Sequence, residues 1–200
     1  DPAGNTATDA TLDELTIDAT GPNAPTVSGD AVTNDTTPTW TWASGGNGVG
    51  SYRYGFAEGT WIAEDVTDTS YTPLGALAEG TYVLYVQERD ALSNWSASGT
   101  FVTAVDLTPP SAPFVTGLTP TTIEPTWTWT STDATGAGMY RYGHLLGTWF
   151  AVDVANTAYT GPDATPGDYI LHVQERDAAG NWSLPGSCTI TVSAPSDGGG

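Results

Sequence analysis

The chain has 200 residues, and its 23 acidic side chains against four arginines and no lysine give a formal net charge of −19. Binding to nucleic acid or docking on an anionic membrane requires a positive surface, so both classes of function are excluded. No apolar run is long enough to be inserted across a bilayer. The single cysteine, Cys188, excludes an internal disulfide and a zinc site built on several cysteines.

An internal repeat with an offset of 87 or 88 residues divides most of the chain into two similar copies. Pro-Thr-Trp-Thr-Trp occurs at 38–42 and 125–129, and Val-Gln-Glu-Arg-Asp occurs at 86–90 and 173–177. Each copy starts at a short proline-rich joint, which is typical of a domain boundary. The pattern therefore predicts one domain at 18–105 and a second domain at 106–194.

The two ends of the chain are predicted to lie outside these domains. Asp1-Pro-Ala-Gly-Asn5 matches the sequence at 177–181, near the end of the second copy. We therefore expect 1–17 to be the last strand of a preceding repeat, which makes the chain a piece of a longer array. The segment 195–200 has the composition of a linker.

Short strands separated by turn residues follow one another along each copy. In the first copy they are predicted at 25–27, 39–43, 51–55, 61–66, around Tyr71, at 82–89 and at 99–105. A period of two residues places Trp40 and Trp42 on one face of a strand, and Leu84 and Val86 on one face of another. The prediction is an all-β fold of two tandem Ig-like or fibronectin-III-like β-sandwich domains, with about seven antiparallel strands each.

The segment Leu77-x-x-Gly80-x-Tyr82 has the spacing of a tyrosine corner, in which the tyrosine hydroxyl bonds to the backbone just before its strand. The second copy keeps the glycine and the tyrosine, as Gly167 and Tyr169. We expect this hydrogen bond in both domains.

Together, the Trp-Thr-Trp, Tyr-Arg-Tyr-Gly and Val-Gln-Glu-Arg-Asp motifs resemble the bacterial immunoglobulin-like repeats of large secreted surface proteins and adhesins. The resemblance covers both copies and the segment before them. It implies an extracellular or cell-surface location and a spacer role, with neighbouring repeats of the same chain as partners. It also implies calcium at the joints between domains.

A catalytic site is not predicted. The only histidines, His144 and His172, lie in the second copy, where the first copy has Phe56 and Tyr85. His172 alternates with core residues and is expected on the outer face, and Cys188 is interpreted as a small buried residue. The chain is therefore predicted not to be an enzyme.

Hard oxygen ligands recur at the turn that follows the sixth predicted strand and at the start of each copy. Such ligands suit calcium. The candidate metal ligands are Asp18, Glu88, Asp90 and Asn94 in the first copy, and Asp106, Glu175, Asp177 and Asn181 in the second. The alternative is a purely structural turn, because Asp-x-x-Gly-Asn is a good turn sequence and Glu88 could pair with an arginine.

The four arginines fall on repeated positions that alternate with core residues. Cross-strand ion pairs are predicted between Arg53 and Asp65 and between Arg141 and Asp153. Exposed pairs of this kind contribute only about 0–1 kcal/mol.

Eight tryptophans raise the alternative of carbohydrate binding, although all of them are duplicated, which favours packing in the core or at its rim. The loops 45–50 and 131–138 differ between the copies, so either loop could bind a ligand that the other copy does not bind. Their residues do not identify such a ligand. The function predicted is a non-catalytic structural or extender module of a bacterial surface or secreted adhesin, whose distal domains would contact a host or environmental glycan or surface. The alternatives are a carbohydrate-binding adhesin module and an accessory domain of an extracellular glycoside hydrolase.

Overall fold

A computed structural model describes residues 18–121, 124–162 and 164–194. The predicted remnant strand at 1–17 and the predicted linker at 195–200 lie outside the described residues. Over the described ranges all regular structure is β. None of the described residues belongs to a helix that could span a membrane.

The first repeat contains eight strands, all of them short apart from β7 and β8. They are β1 (Thr26–Ser28), β2 (Val32–Thr33), β3 (Trp40–Ala43), β4 (Ser51–Gly55), β5 (Ala63–Val66), β6 (Ser70–Tyr71), β7 (Gly80–Arg89) and β8 (Gly99–Val105). They form one sheet in the order β1-β3-β6 and another in the order β2-β8-β7-β4-β5.

The described part of the second repeat contains seven strands in a similar order. They are β9 (Phe114–Gly117), β10 (Thr126–Thr130), β11 (Gly136–Gly143), β12 (Ala151–Val154), β13 (Ala158–Thr160), β14 (Gly167–Asp177) and β15 (Gly186–Val192). The sheets are β9-β10-β13 and β12-β11-β14-β15. The predicted pair of β-sandwiches is thus confirmed.

One strand departs from the antiparallel prediction. After β1 the chain crosses to the other sheet, where Val32 and Thr33 pair in parallel with Ala104 and Val105 of β8. A single parallel bridge between Thr121 and Val192 takes the same place in the second repeat. The parallel pairing follows because the chain leaves β1 at the edge of one sheet and continues in the same direction along the other.

Alternation along β3 and β7 builds the core of the first repeat. Trp40 and, from the other sheet, Leu84 and Val86 are fully buried, which confirms the predicted faces. Trp40 stacks on Tyr71 with a centroid distance of 6.3 Å. Large aromatic side chains bury about 150–250 Å² each, so a few of them supply most of the core without a disulfide.

The tyrosine corner is present in both repeats. The Tyr82 hydroxyl donates to the Ala78 carbonyl oxygen at 3.0 Å, and the Tyr169 hydroxyl donates to the Thr165 carbonyl oxygen at 2.9 Å. Each bond joins the loop before the strand to the beginning of that strand, as the spacing predicted.

The described chain forms two compact units. The first contains 18–29, Trp40–Tyr71 and Val83–Phe101, and the second contains Asp30–Thr39, Thr72–Tyr82 and the described residues from 102 to 194. The boundary between 105 and 106 stays a prediction.

We expect Trp40→Ala to lower the free energy of unfolding by about 3–5 kcal/mol, because it removes a fully buried ring and leaves a cavity between the sheets. Chemical denaturation followed by circular dichroism measures the loss. Thr41→Ala, at the neighbouring exposed position of the same strand, is the control and should change stability by about 0.5 kcal/mol or less. Equal effects of the two substitutions would contradict the buried position of Trp40.

Candidate functional site

The turn after β7 joins three of the predicted metal ligands. Asp90 Oδ1 accepts the backbone N–H groups of Leu92 and Asn94, each at 2.8 Å. The Asn94 side-chain amide donates to Asp90 Oδ2 at 2.9 Å and to the backbone carbonyl oxygen of Asp18 at 3.0 Å. Ser93 adopts a positive φ of 71°, which closes the turn. Asp18, Asp90 and Asn94 therefore lie together, but Asp18 takes part through its backbone.

The second repeat builds the same turn from Asp177 and Asn181. Asp177 Oδ1 accepts the N–H groups of Gly180 and Asn181 at 2.8 Å, and the Asn181 amide donates to Asp177 Oδ2 and to the Asp106 carbonyl oxygen. The carboxylate of Asp106 accepts the N–H of Thr108 instead. The asparagine amide nitrogens, which are donors, thus point at the first residue of each repeat.

These contacts favour the charged form of Asp90. The Asn94 amide, together with the backbone N–H groups of Asn94, Leu92 and Ser93, holds the pKa of Asp90 below its usual value. The hydrogen bonds match the structural-turn alternative of the sequence analysis. Among the described residues, no group of three or more His, Cys, Asp or Glu side chains is arranged to hold a metal ion, and calcium at the two turns stays a prediction.

Glu88 and Glu175 are directed away from the turns, into the interior. Glu88 lies on the same face of β7 as Leu84 and Val86, and its side chain is 1% exposed. Its Oε2 accepts the Ser44 hydroxyl at 2.5 Å and its Oε1 accepts the Gly50 N–H at 3.0 Å. The strand alternation therefore places this carboxylate under the loop between β3 and β4. The alternative in which Glu88 pairs with an arginine is replaced by these contacts with Ser44 and Gly50.

A tyrosine on the neighbouring strand contacts each buried glutamate. The hydroxyl of Tyr52 bonds to Glu88, and that of Tyr140 bonds to Glu175. Burial, followed by the charge of the glutamate and this hydrogen bond, raises the pKa of both tyrosines. A side chain at Gly48 or Gly136 would displace the carboxylate below it, because a Cβ on Gly48 would lie 2.1 Å from Glu88 and one on Gly136 would lie 2.2 Å from Glu175.

The two buried glutamates differ in one partner. Ser131, which takes the place of Ser44, donates to the Asp133 carbonyl oxygen instead of to the glutamate. Glu175 Oε2 has no hydrogen-bond partner among the described residues. The carboxylate of the second repeat is therefore less completely satisfied than that of the first.

Arginines and tryptophans interleave on the outer face of the sheet that contains β4 and β7. The Arg53 guanidinium lies 4.5 Å from the Trp61 ring centroid and 4.2 Å from that of Trp95. Arg89 lies 5.9 Å from the same Trp95 ring. Two cations therefore lie over Trp95, so this ring is not an open surface for stacking a ligand. We call this set the Trp–Arg ladder.

The second repeat reproduces the Trp–Arg ladder. Arg141 lies 4.9 Å from the Trp149 centroid and 4.3 Å from the Trp182 centroid, and Arg176 lies 5.6 Å from Trp182. The ladder accounts for all four arginines of the chain. Four of the eight tryptophans are thus used on the outer face, at the rim where packing was predicted.

Both predicted ion pairs are wrong in their partners. Asp65 pairs with Arg89 at 3.0 Å, and Arg53 lies 3.7 Å from Glu64. In the second repeat Asp153 pairs with Arg176 at 3.1 Å rather than with Arg141. The reason is a register shift opposite Tyr52–Tyr54 and Tyr140–Tyr142. Asp65 and Asp153 there adopt φ values of 56° and 54°, which breaks the alternation on which the prediction depended.

The remaining candidate residues of the second repeat are only partly as predicted. His172 lies between the buried Leu171 and Val173 and so belongs to the outer face, as expected. Cys188, expected as a small buried residue, is half-buried and packs against the core from its rim. β15, which carries it, is the outermost strand of its sheet.

A pocket of about 420 Å³, which no sequence motif indicates, opens at the edge of the second repeat. Its lining consists mainly of aromatic and small residues: Pro125, His144, Phe150, Tyr159, Gly161, Pro162, Ala164, Thr165 and Tyr169. Six of these nine residues differ from their counterparts in the first repeat, and only Pro125, Tyr159 and Tyr169 are kept. That difference, at positions outside the two variable loops, is the signal by which the pocket could have been found.

Comparison with known proteins places this geometry among tandem β-sandwich modules. The FN1–FN3 domains of chicken CNTN1 match with a TM-score of 0.50 and 16% identity, over 88% of this chain and 68% of that one. The fold is that of tandem fibronectin III and Ig-like domains. Fibronectin(III)-like modules of Clostridium thermocellum CbhA also match, with a TM-score of 0.46 and 16% identity over 87% of this chain and 97% of that chain.

At the level of sequence, no protein-family model matches the chain. A stretch of 111 residues, which is 54% of this chain, is 32% identical to Chitinase A1 of Niallia circulans. The match covers 16% of that protein, so this fibronectin-III-like chain corresponds to a small part of the relative.

We expect the free energy of unfolding to fall as the pH rises above about 10. Because the folded-state pKa values of Tyr52 and Tyr140 are raised, the unfolded chain loses these protons first, and the stability they contribute is lost as the pH rises through the folded-state values. Urea denaturation at several pH values measures the decline, which Tyr52→Phe should make shallower. An equally steep decline in that variant would contradict the contact with Glu88.

We expect Asp90→Asn to lower the melting temperature, because an amide nitrogen replaces one of the two oxygens that accept hydrogen bonds in the turn. The loss should persist in a chelator, since these bonds need no metal. A loss confined to millimolar calcium would instead assign Asp90 to the predicted metal site. Asp30→Asn, which removes the same charge from an exposed position, is the control.

Proposed function

We propose that the chain is a non-catalytic tandem module that connects the working domains of a secreted, polysaccharide-degrading enzyme. Of the functions predicted from the sequence, this one joins the spacer role to the glycoside-hydrolase alternative. The same spacer role in a surface adhesin stays a prediction.

The observation that carries the non-catalytic role is the use of the duplicated polar residues. Asp90 closes a turn, Glu88 anchors a loop, and the arginines lie between tryptophan rings or pair with acids. The second repeat uses its counterparts in the same way. A nucleophile with a neighbouring base, or two carboxylates across a cleft, would be needed for hydrolysis, and these residues are committed to the fold instead.

The parent enzyme is inferred from the chitinase match. The matched stretch is a small part of Chitinase A1, as expected for a module that accompanies a separate catalytic domain. An enzyme acting on an insoluble polymer functions outside the cell, where a strongly negative surface keeps neighbouring modules from associating.

A chimeric enzyme tests this function. Residues 18–194 replace the aligned stretch of Chitinase A1, and hydrolysis of chitin particles and of a soluble chito-oligosaccharide is measured. We expect rates close to those of the parent enzyme on both substrates. A Gly/Ser linker of equal length should preserve the soluble rate and lower the rate on particles, because a flexible chain spans a different and less defined distance.

Two results would contradict the proposal. If the chimera hydrolyses chitin particles no faster than the Gly/Ser variant does, the spacer role is contradicted. Hydrolysis of either substrate by the isolated chain would contradict the proposal that the chain is non-catalytic.

A further inference from the structure

The pocket of the second repeat is walled by aromatic rings that contact one another. The Phe150 centroid lies 4.9 Å from Tyr159 and 5.3 Å from His144, and Tyr159 stacks on the buried Trp127 at 6.0 Å. Phe150 is nevertheless 49% exposed. A ring fixed by its neighbours and half open to solvent is a suitable surface for stacking.

The first repeat has the same frame with different side chains in it. It keeps Pro38, Tyr71 and Tyr82 in the places of Pro125, Tyr159 and Tyr169, but carries Phe56, Ile62 and Pro73 in the places of His144, Phe150 and Gly161. Phe56 packs edge-on against Trp40 and Tyr71, with centroid distances of 5.5 and 5.9 Å. The second repeat thus replaces a packing phenylalanine by an imidazole, an isoleucine by an aromatic ring, and a proline by glycine.

The hairpin beside the pocket has also lost its charge. Segment 56–64 contains Glu58 and Glu64, whereas the equivalent segment 144–152 has Leu146 and Val152 there and contains no acidic residue. This is an exception in a chain with a net charge of −19. Loss of both carboxylates removes the local ion-pair partners that a cationic ligand would need beside the pocket, while the charge of the whole chain still repels an anion. A neutral ligand is favoured.

The polar groups of the pocket are oriented to accept hydrogen bonds. His144 Nδ1 lies 2.6 Å from the Ile170 carbonyl oxygen. A carbonyl oxygen can only accept, so Nδ1 carries the proton and Nε2 of the neutral ring is an acceptor. The Tyr169 hydroxyl gives its proton to the Thr165 carbonyl oxygen, and its oxygen accepts the Thr165 hydroxyl at 3.2 Å. One lone pair of the Tyr169 oxygen is left as an acceptor. Both groups suit a ligand that carries hydroxyl donors.

We propose that this pocket binds a neutral pyranose ring of a glycan, with one face of the sugar on Phe150 and its hydroxyls on His144 and Tyr169. Pockets of about 300–1,000 Å³ that combine aromatic walls with a few convergent polar groups are the usual form of small-ligand sites. The inference goes beyond the spacer role and does not depend on the parent enzyme. Only the first choice of probe follows from the chitinase match.

Titration of the ¹⁵N-labelled chain with N-acetylglucosamine hexamer and with cellohexaose tests the proposal by NMR. We expect saturable shifts of the amides around 144–150 and 159–171 with at least one of the two sugars. An oligogalacturonate and tetramethylammonium, as anionic and cationic probes, should leave these amides unchanged.

The variant H144F/F150I carries at these two positions the residues of the first repeat, Phe56 and Ile62. Because the first repeat folds into the same kind of sandwich with these residues, the variant should fold. We expect it to keep a dispersed spectrum and to bind the sugar at least about tenfold more weakly, which corresponds to about 1.4 kcal/mol. The matched control is Ile62→Phe in the first repeat, which should leave the affinity unchanged.

Three outcomes would overturn the proposal. These are the absence of saturable shifts with both neutral sugars, unchanged affinity in H144F/F150I, and shifts of the same amides with protein concentration alone, which would show that a second copy covers the surface. None of them alters the hydrolysis rates of the chitinase chimera, so failure of the pocket and failure of the spacer role are distinguishable.

Discussion

The two-residue alternation of β7 and β14 is the constraint on which the rest of each repeat depends. Along β7, Leu84, Val86 and Glu88 face inward, whereas Gln87 and Arg89 belong to the outer side. The same strand therefore supplies the core, an anchor for the loop between β3 and β4, and part of the Trp–Arg ladder. It then runs directly into the turn closed by Asp90. A slip of one residue would exchange these groups between core and solvent.

The outer face depends on this register as well. The Nε–H of Arg53 donates to Gln87 Oε1 at 2.7 Å, and the Nε–H of Arg141 donates to Gln174 Oε1 at 2.8 Å. These bonds fix each guanidinium within cation–π distance of a tryptophan ring. The ladder explains why the chain can carry several partly exposed tryptophans without presenting them as a free aromatic patch.

Much of this could be predicted from the sequence, because it follows from local periodicity. The strands, the buried Trp40 and the tyrosine corner depend on spacing alone. The inward direction of Glu88 was also implied by the alternation, but a carboxylate on a core face contradicts the usual location of acids. The ion pairs could not be predicted, because the positive φ of Asp65 depends on the register shift between β4 and β5. Prediction of the pocket would have required a position-by-position comparison of the two copies, such as Phe56 with His144.

Differences between the two repeats separate the two roles that we propose for the chain. Residues that recur in both repeats, such as Asp90 and Asp177, are those whose hydrogen bonds hold the sandwich together, so replacing them would cost stability in either copy. Residues that differ, such as Ile62 and Phe150, lie where the frame tolerates exchange. A repeat that needs only to fold keeps the first set, and a repeat that also binds can change the second set without loss of the fold. The pocket that we propose as a glycan site lies at positions of this second kind, which is why it occurs in the second repeat and why the residues of the first repeat should abolish binding.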